Sequence, residues 1–129
     1  MDQSKSSNIF PIQITIIGMK EVIEGEIVRT KAPRIVERIL SLLPITGRVS
    51  TQKAQLNLTI NIKKGAEKPS KVAKKSDIAY WPKGDAFSIF LADTEPYGEI
   101  NVIGAITSNL NALSNLKLGS VLKIALKKV

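Results

Sequence analysis

Between residues 77 and 91, two apolar segments flank a Pro-Lys-Gly-Asp turn. Both alternating faces of each segment carry apolar side chains, including Tyr80 and Trp81 before the turn and Phe87 and Phe90 after it. A half-buried strand would have one polar face, so two apolar faces indicate a hairpin that is buried on both sides. The pattern therefore predicts a closed β-barrel in which something covers the outside of this hairpin.

Alternation of apolar and polar positions predicts the other strands. Ile12, Ile14 and Ile16 share one face of a first strand at residues 10–17, and residues 21–28 return beside it as a hairpin. Residues 56–62 alternate strictly, which predicts that Asn57 and the other polar side chains of this strand face water. We expect a mainly β fold of about eight strands, at residues 10–17, 21–28, 46–53, 56–62, 77–81, 86–91, 100–107 and 121–126.

A first helix is predicted between Ala32 and Pro44. Pro33 suits the first helical position, because the amide hydrogen that proline lacks would have no partner inside the helix. Apolar side chains then recur at helical spacing, and we expect this stripe to lie over an open end of the barrel as a plug. The stripe consists of Ile35, Val36, Ile39, Leu40 and Leu43.

A second, shorter helix is predicted near the carboxyl end of the chain. Leucines at helical spacing follow Ser108 and Asn109, either of which is suited to cap a helix, and Gly119 is placed to end it. Gly104 lies inside the strand predicted just before this helix. A glycine within a strand indicates a sharp bend or a close approach of two backbones.

Length and composition restrict the classes of function. A chain of 129 residues fits one domain, which we place at residues 9–129, after a polar disordered tail at residues 1–8. The chain has no cysteine and no histidine, so disulfides, thiolate nucleophiles, His-based triads and zinc sites are not expected. We expect a cytoplasmic protein without a cofactor or metal, and we interpret Asp93, Glu95 and Glu99 as a solvated turn.

Positive charge is concentrated between Lys63 and Lys75. The protein has a net charge of +8, and six lysines with one glutamate give this lysine-rich segment a charge of +5. The segment contains no arginine and no aromatic side chain that could stack on bases, so nucleic acid is not the expected partner. We expect a solvated and mobile loop.

Four short features occur in a fixed order: Tyr-Trp-Pro at 80–82, Gly84 in the turn, the apolar strand at 86–91, and Asn-Val-Ile-Gly at 101–104. This order resembles a family of small uncharacterised prokaryotic proteins that have the cyclophilin-like β-barrel. The resemblance implies a closed barrel of about eight strands with two helices, which agrees with the barrel expected from the hydrophobic pattern. It implies no particular activity, because a fold does not determine a function.

True cyclophilins are similar to this chain at the opening of the first helix, where Ala32-Pro33-Arg34 occurs. Those enzymes catalyse peptidyl-prolyl isomerisation, which needs no acid or base, so the absence of histidine does not exclude it. By resemblance the isomerase arginine would be Arg48, the only arginine after this helix. The aromatic residue that precedes the arginine in cyclophilins is missing here, and their rim histidine falls on Ile100.

Three functions from different classes remain open. We favour a noncatalytic binding module for a small molecule or peptide; the alternatives are a peptidyl-prolyl isomerase and a structural unit that forms homo-oligomers through its apolar surface. A free indole N–H at Trp81 would make a binding hot spot, whereas packing in the barrel core is the competing interpretation of the aromatic residues. Arg48 with Gln52 or Gln55 would form a polar recognition patch. The predicted ligand-binding residues are Arg48, Gln52, Tyr80, Trp81, Phe87 and Tyr97.

Overall fold

The structure, a computed structural model, describes residues 8–116 and 119–127. Within these residues the chain forms nine strands, one α-helix and three short 3-10 turns. The strands are β1 (Ile9–Ile16), β2 (Val22–Val28), β3 (Ile45–Arg48), β4 (Ser50–Gln52), β5 (Gln55–Thr59), β6 (Asp77–Trp81), β7 (Ala86–Phe90), β8 (Asn101–Ser108) and β9 (Val121–Leu126). The helix α1 spans Pro33–Leu42, and the 3-10 turns span Arg29–Lys31, Pro82–Gly84 and Leu110–Leu113. The predicted tail lies outside the described residues except for Asn8.

The nine described strands form one sheet in the order β3-β9-β1-β2-β8-β6-β7-β5-β4. The edge strands β3 and β4 are consecutive in the chain and are separated by Val49 alone, so the chain itself joins the two edges of the sheet. At this seam β3 lies close against β5. The contact leaves no room for a side chain at Gly47, where a Cβ would be only 2.8 Å from Leu58 Cδ1. The result is a nearly closed barrel, which confirms the predicted mainly β architecture. A ninth strand arises because the strand predicted at 46–53 is divided at Val49.

Aliphatic and aromatic side chains fill the inside of the barrel, with Ile14, Ile78 and Phe87 among them. The helix α1 contributes Ile35, Val36 and Ile39 to the same core, which confirms that its apolar stripe is buried against the barrel. In the part of the chain that the structure describes, no helix has the length and apolar character needed to cross a membrane.

β8 approaches β2 closely at Gly104. A Cβ at this position would overlap the backbone oxygen of Glu26, which only glycine avoids. The register of the β2–β8 pair also shifts between Glu24 and Gly25. The close backbone approach predicted from Gly104 is therefore confirmed.

Two segments of the chain cover the outside of the hairpin formed by β6 and β7. Residues 63–76 and 92–100 lie side by side, joined by hydrogen bonds between Ser70 and Ile100 and between Ala73 and Thr94, at 2.7 to 2.9 Å. Beneath them a second, smaller core forms on the outer face of the sheet. It consists of Ala73, Ala79, Phe90 and Ile100, with Trp81 and Val102 packed against it. The hairpin is therefore buried on both sides, as its sequence predicts, and its cover is supplied by the chain's own loops.

Two local predictions are wrong. Asn57 does not face water, because it is buried together with two other polar side chains to which it is hydrogen-bonded, Gln55 and Ser88. The second predicted helix is only the four-residue 3-10 turn at Leu110–Leu113. Ser108 belongs to β8, and Asn109 does not cap the turn with its side chain but donates its amide hydrogen to the Val22 carbonyl at 3.1 Å. The Asn109 side-chain amide thus bonds to a backbone carbonyl at the start of β2 and not to the backbone amides of the 3-10 turn that follows it.

Candidate functional site

A cleft of about 230 Å³ lies on the outside of the barrel, beside the cover. One of its walls is the two-residue turn between β4 and β5, and the other is the segment that follows β7. The pairing of β4 with β5 and the bridge between Ala73 and Thr94 fix these walls. The cleft is lined by Gln52, Lys53, Gln55, Thr94, Glu95, Pro96 and Tyr97.

Gln55, on the floor of the cleft, belongs to a trio of buried polar side chains with Asn57 and Ser88. Asn57 lies directly opposite Ser88 in the pairing of β5 with β7. Gln55 Nε2 donates to Asn57 Oδ1 at 2.7 Å and to Ser88 Oγ at 3.3 Å, and the Ser88 hydroxyl donates to Asn57 Oδ1 at 2.7 Å. Buried polar groups are costly unless they are hydrogen-bonded, so this polar trio holds the Gln55 amide in one orientation.

The other end of the Gln55 amide is available to a ligand. Gln55 is only 2% exposed, and no group in the described part of the chain donates a hydrogen bond to its Oε1. Both hydrogen bonds that its side chain makes to the described residues use Nε2, which leaves Oε1 as a fixed acceptor of a residue that lines the cleft. Such an acceptor favours a ligand that donates an N–H or O–H group.

Trp81 and Tyr97 hold the second wall of the cleft. The Trp81 indole Nε1 donates to the Tyr97 carbonyl oxygen at 2.8 Å, so the N–H that could have met a ligand is already used inside the protein. Gly84 packs on the indole so closely that a Cβ there would be 2.5 Å from Trp81 Cε3. The Tyr97 side chain itself is 68% exposed, with Lys83 Nζ 4.7 Å from its ring centroid. Trp81 therefore positions the wall, and Tyr97 presents its ring to solvent.

The structure brings together only part of the predicted site. Gln52 and Tyr97 line the cleft, on opposite walls, and Trp81 supports one of them. Tyr80 and Phe87 lie inside the barrel core with no more than 1% of each exposed, so neither reaches the cleft. Arg48 is exposed on β3 and does not line the cleft.

Sequence reasoning missed most of the cleft lining, namely Lys53, Thr94, Glu95 and Pro96. The signal that could have located the floor is the polar position Ser88 inside a strand that is otherwise apolar on both faces. A buried polar residue in such a strand needs polar partners from the neighbouring strand. Gln55 and Asn57, at alternate positions of β5, are those partners.

A second polar cluster fastens the start of the lysine-rich segment to the barrel. The Tyr80 hydroxyl donates to Asp85 Oδ1 at 2.7 Å and accepts a hydrogen bond from the Lys64 amide at 3.2 Å. The amides of Ile62 and Lys63 donate to the same Asp85 oxygen at 3.1 and 3.0 Å. This cluster uses the hydroxyl of Tyr80 structurally, as a support for the loop rather than as a ligand contact.

The same contacts shift two pKa values. Burial, followed by the hydrogen bond to Asp85, raises the pKa of Tyr80 to about 12. Burial also raises the pKa of the Asp85 carboxyl, but hydrogen bonds from Tyr80, Lys63 and Ile62 oppose it. The net pKa of Asp85 is therefore lowered.

The rest of the lysine-rich segment is also anchored, although its sequence predicts a mobile loop. The carboxylate of Glu67 accepts hydrogen bonds from the amides of Arg34 and Ile35 at 3.0 and 3.1 Å, in the first turn of α1. Asn101 Oδ1 accepts from the amides of Glu67 and Lys68 at 2.7 and 2.8 Å. A carboxylate is stabilising at a helix N-terminus because the exposed amides and the helix dipole both favour negative charge. Asn101 and Glu67 thus tie the segment to β8 and to α1.

A metal site is not assembled from the acidic residues near the cleft. Asp93 uses its carboxylate to accept a hydrogen bond from the Lys75 amide at 2.9 Å. In residues 8–116 and 119–127, no three acidic, cysteine or histidine side chains are grouped so as to hold a metal ion. The residues that line the cleft offer hydrogen bonding, charge and contact with an exposed ring.

Comparison with known proteins assigns this barrel to a family. A family model described as cyclophilin-like matches residues 11–125. The chain belongs to the cyclophilin-like family. A comparison with curated proteins finds no match.

Two solved structures share this cyclophilin-like fold. The solution structure of the hypothetical protein AF2241 from Archaeoglobus fulgidus superimposes with a TM-score of 0.74 at 23% identity, over 92% of this chain and 95% of that one. The structure of McbB in complex with tryptophan superimposes with a TM-score of 0.73 at 12% identity, over 88% of this chain. The present chain corresponds to 44% of the McbB chain. At these identities the likeness concerns the fold alone.

Proposed function

We propose that this cyclophilin-like protein is a noncatalytic binding module that takes a small molecule in the cleft. The observation that carries the proposal is the Gln55 amide, which is buried, fixed by the polar trio and left with a free acceptor. An acceptor that is held in one orientation and lines a cleft offers a ligand N–H or O–H group a partner that needs no reorientation. The residues around it add amide, charged and aromatic groups, which supply hydrogen bonds, charge and a ring contact to a ligand.

The size of the cleft favours a small molecule over an extended peptide. Sites for drug-sized ligands commonly occupy roughly 300–1,000 Å³, whereas this cleft measures about 230 Å³. One structural neighbour was solved in complex with tryptophan, so single amino acids belong in a first ligand screen. The lack of cysteine and the resemblance to small prokaryotic proteins support a location in a prokaryotic cytoplasm.

The apolar surface that suggested the oligomerisation alternative is buried within the chain itself. Apolar strand positions on the outside of the hairpin suggested a surface covered by a second copy. Ala79 and Phe90 are instead covered by Ala73 and Ile100 of the same chain. We therefore propose a unit that needs no second copy to bury this face.

Binding is tested by screening a metabolite library against the protein and following the emission of Trp81, the only tryptophan. Because the indole holds the Tyr97 carbonyl, ligands that move the wall of the cleft should change its emission. Amide chemical shifts in nuclear magnetic resonance spectra then locate each hit.

Matched variants separate the cleft from the rest of the surface. We expect Gln52→Ala and Tyr97→Ala each to weaken a hit by about tenfold, because each removes a side chain that lines the cleft. Gln13→Ala, on β1, is the control and should leave affinity unchanged. Hits that shift resonances only outside the cleft, or a library without hits, would contradict the proposal.

A further inference from the structure

The cleft carries one positive and one negative side chain, and they do not neutralise each other. Lys53 lies on one wall and Glu95 on the other. The ion pairs of the described residues are Arg29 with Glu37 and Lys127 with Glu24, at 2.7 and 2.8 Å. Neither Lys53 nor Glu95 takes part in them, and neither has a further partner. Both charges therefore remain available to a molecule in the cleft.

The backbone on each side of the cleft is fixed, so the two charges start from defined positions. The turn at Lys53 is closed by the pairing of Gln52 with Gln55 and by a hydrogen bond of 2.8 Å from the Leu91 amide to the Ala54 carbonyl. The opposite wall is held by the Thr94 hydroxyl, which donates to the Ala92 carbonyl at 2.7 Å, and by the bond from Trp81 to Tyr97. Two side chains of opposite sign thus extend from two anchored turns.

This inference rests on the proposed function and names the ligand class: we infer that the cleft recognises a small zwitterion of the α-amino acid type. Its carboxylate would pair with Lys53 and its ammonium with Glu95. The ammonium has further N–H groups, and Gln55 Oε1 is a fixed acceptor for one of them. The side chain of the ligand would then contact Pro96 and the exposed ring of Tyr97.

Charge complementarity selects this class over its relatives. A ligand with a single charge would satisfy one of the two side chains and leave the other with no ionic partner. A ligand with no charge would satisfy neither. Charge-assisted hydrogen bonds are about twice as strong as neutral ones, so a zwitterion gains from both ends at once.

Four probes that differ only in charge test the inference. They are L-phenylalanine, N-acetyl-L-phenylalanine without the ammonium, L-phenylalaninamide without the carboxylate, and N-acetyl-L-phenylalaninamide without either charge. Binding is measured by calorimetry and by Trp81 emission, which phenylalanine does not obscure. We expect L-phenylalanine to bind about tenfold more tightly than either singly charged probe, a difference of about 1.4 kcal/mol.

Two exposed variants assign each end of the ligand. Lys53→Asn removes the positive charge and suits the local backbone, because Lys53 has a left-handed φ of 56° that asparagine tolerates. It should weaken only the probes with a carboxylate. Glu95→Gln should weaken only the probes with an ammonium. Lys20→Asn and Glu21→Gln, exposed in the β1–β2 turn, change the net charge equally and should have no effect.

Each outcome decides the inference. If the uncharged probe binds as tightly as L-phenylalanine, or if Lys53→Asn and Glu95→Gln weaken all probes alike, recognition of a zwitterion is wrong while binding in the cleft stands. If none of the four probes binds but the metabolite library yields cleft ligands, the proposed function survives and this ligand class is rejected. If the metabolite library also yields no cleft ligand, both the proposed function and the zwitterion inference are rejected.

Discussion

The two faces of β5 and β7 differ in what their side chains do, although both faces are buried. On the inner face Leu56, Leu58, Phe87 and Ile89 pack into the barrel core and make no polar contact. On the outer face lies the buried polar trio, and one of its members lines the cleft. The inner face therefore determines the barrel, and the outer face carries the candidate site. The same strands serve both purposes because side chains alternate between the faces.

The strongest test of the difference between the two faces of β5 and β7 is to remove the largest side chain of the inner face. Phe87→Ala should lower the free energy of unfolding by about 3–5 kcal/mol, because it leaves a cavity in a closed core. Denaturant titration measures the change, with Tyr97→Ala, on the exposed wall of the cleft, as the control. A loss smaller than 1 kcal/mol would show that the inner face is not the chief source of stability.

Asp85 tests whether the cover depends on the barrel's own polar groups. Asp85→Asn should cost about 1.5–3 kcal/mol, because a neutral amide oxygen accepts the hydrogen bonds of the Ile62 amide and the Tyr80 hydroxyl more weakly than a carboxylate does. The folded pKa of Asp85 is lowered, so its contribution is present above the unfolded pKa and is lost as the pH falls through the folded pKa. Wild type should therefore lose more stability than Asp85→Asn on acidification below the unfolded pKa of 3.8.

The Tyr80 end of this contact has the opposite pH dependence. Its folded pKa is raised from 10.0 to about 12, so its contribution is complete below pH 10.0 and is lost as the pH rises towards 12. Tyr80→Phe, which does not titrate, should lack this alkaline loss. Equal slopes in the two proteins, measured by denaturation over this range, would contradict the assignment.

These contacts also show how far the sequence alone leads. Apolar side chains on both faces of residues 77–91 predict the barrel and its cover correctly. They do not predict which segment forms the cover, because Ser70 bonds Ile100 and Glu67 bonds α1 across about 30 residues of chain. Strict alternation in β5 places Asn57 correctly on the outer face, but it cannot distinguish a face wetted by solvent from one covered by a loop.

The candidate site was harder to predict than the fold for the same reason. Tyr80 and Trp81 are large, aromatic and close to a turn, which is typical of binding residues, yet one is core and the other supports a loop. The cleft forms where two turns from distant parts of the chain meet, and neither Lys53 nor Glu95 belongs to a motif. Arg48, predicted both by resemblance as the isomerase arginine and from the sequence as part of a polar patch with Gln52 or Gln55, remains a prediction.

Ser88 tests whether the polar trio on the outer face supports the fold or the candidate site. Ser88→Ala should cost about 1–2 kcal/mol, because Asn57 Oδ1 loses a donor and Gln55 Nε2 loses an acceptor. Since the Gln55 amide is then less constrained, ligand affinity should also fall. Thr46→Ala, on exposed β3, is the control for removing a hydroxyl from a strand. Unchanged affinity in Ser88→Ala, at reduced stability, would mean that the polar trio supports the fold and not the site.

The smallest effect is expected at Arg48, where the binding and isomerase hypotheses differ most clearly. Arg48 is exposed on β3 and lies outside the cleft lining, so Arg48→Ala should change stability by less than about 0.5 kcal/mol and leave ligand affinity as it is. In a proline-isomerisation assay, the wild type should not accelerate cis–trans exchange beyond its uncatalysed rate. Turnover by wild type that disappears in Arg48→Ala would reverse this conclusion, because it would place a catalytic arginine on the seam of the barrel rather than a ligand site in the cleft beside its cover.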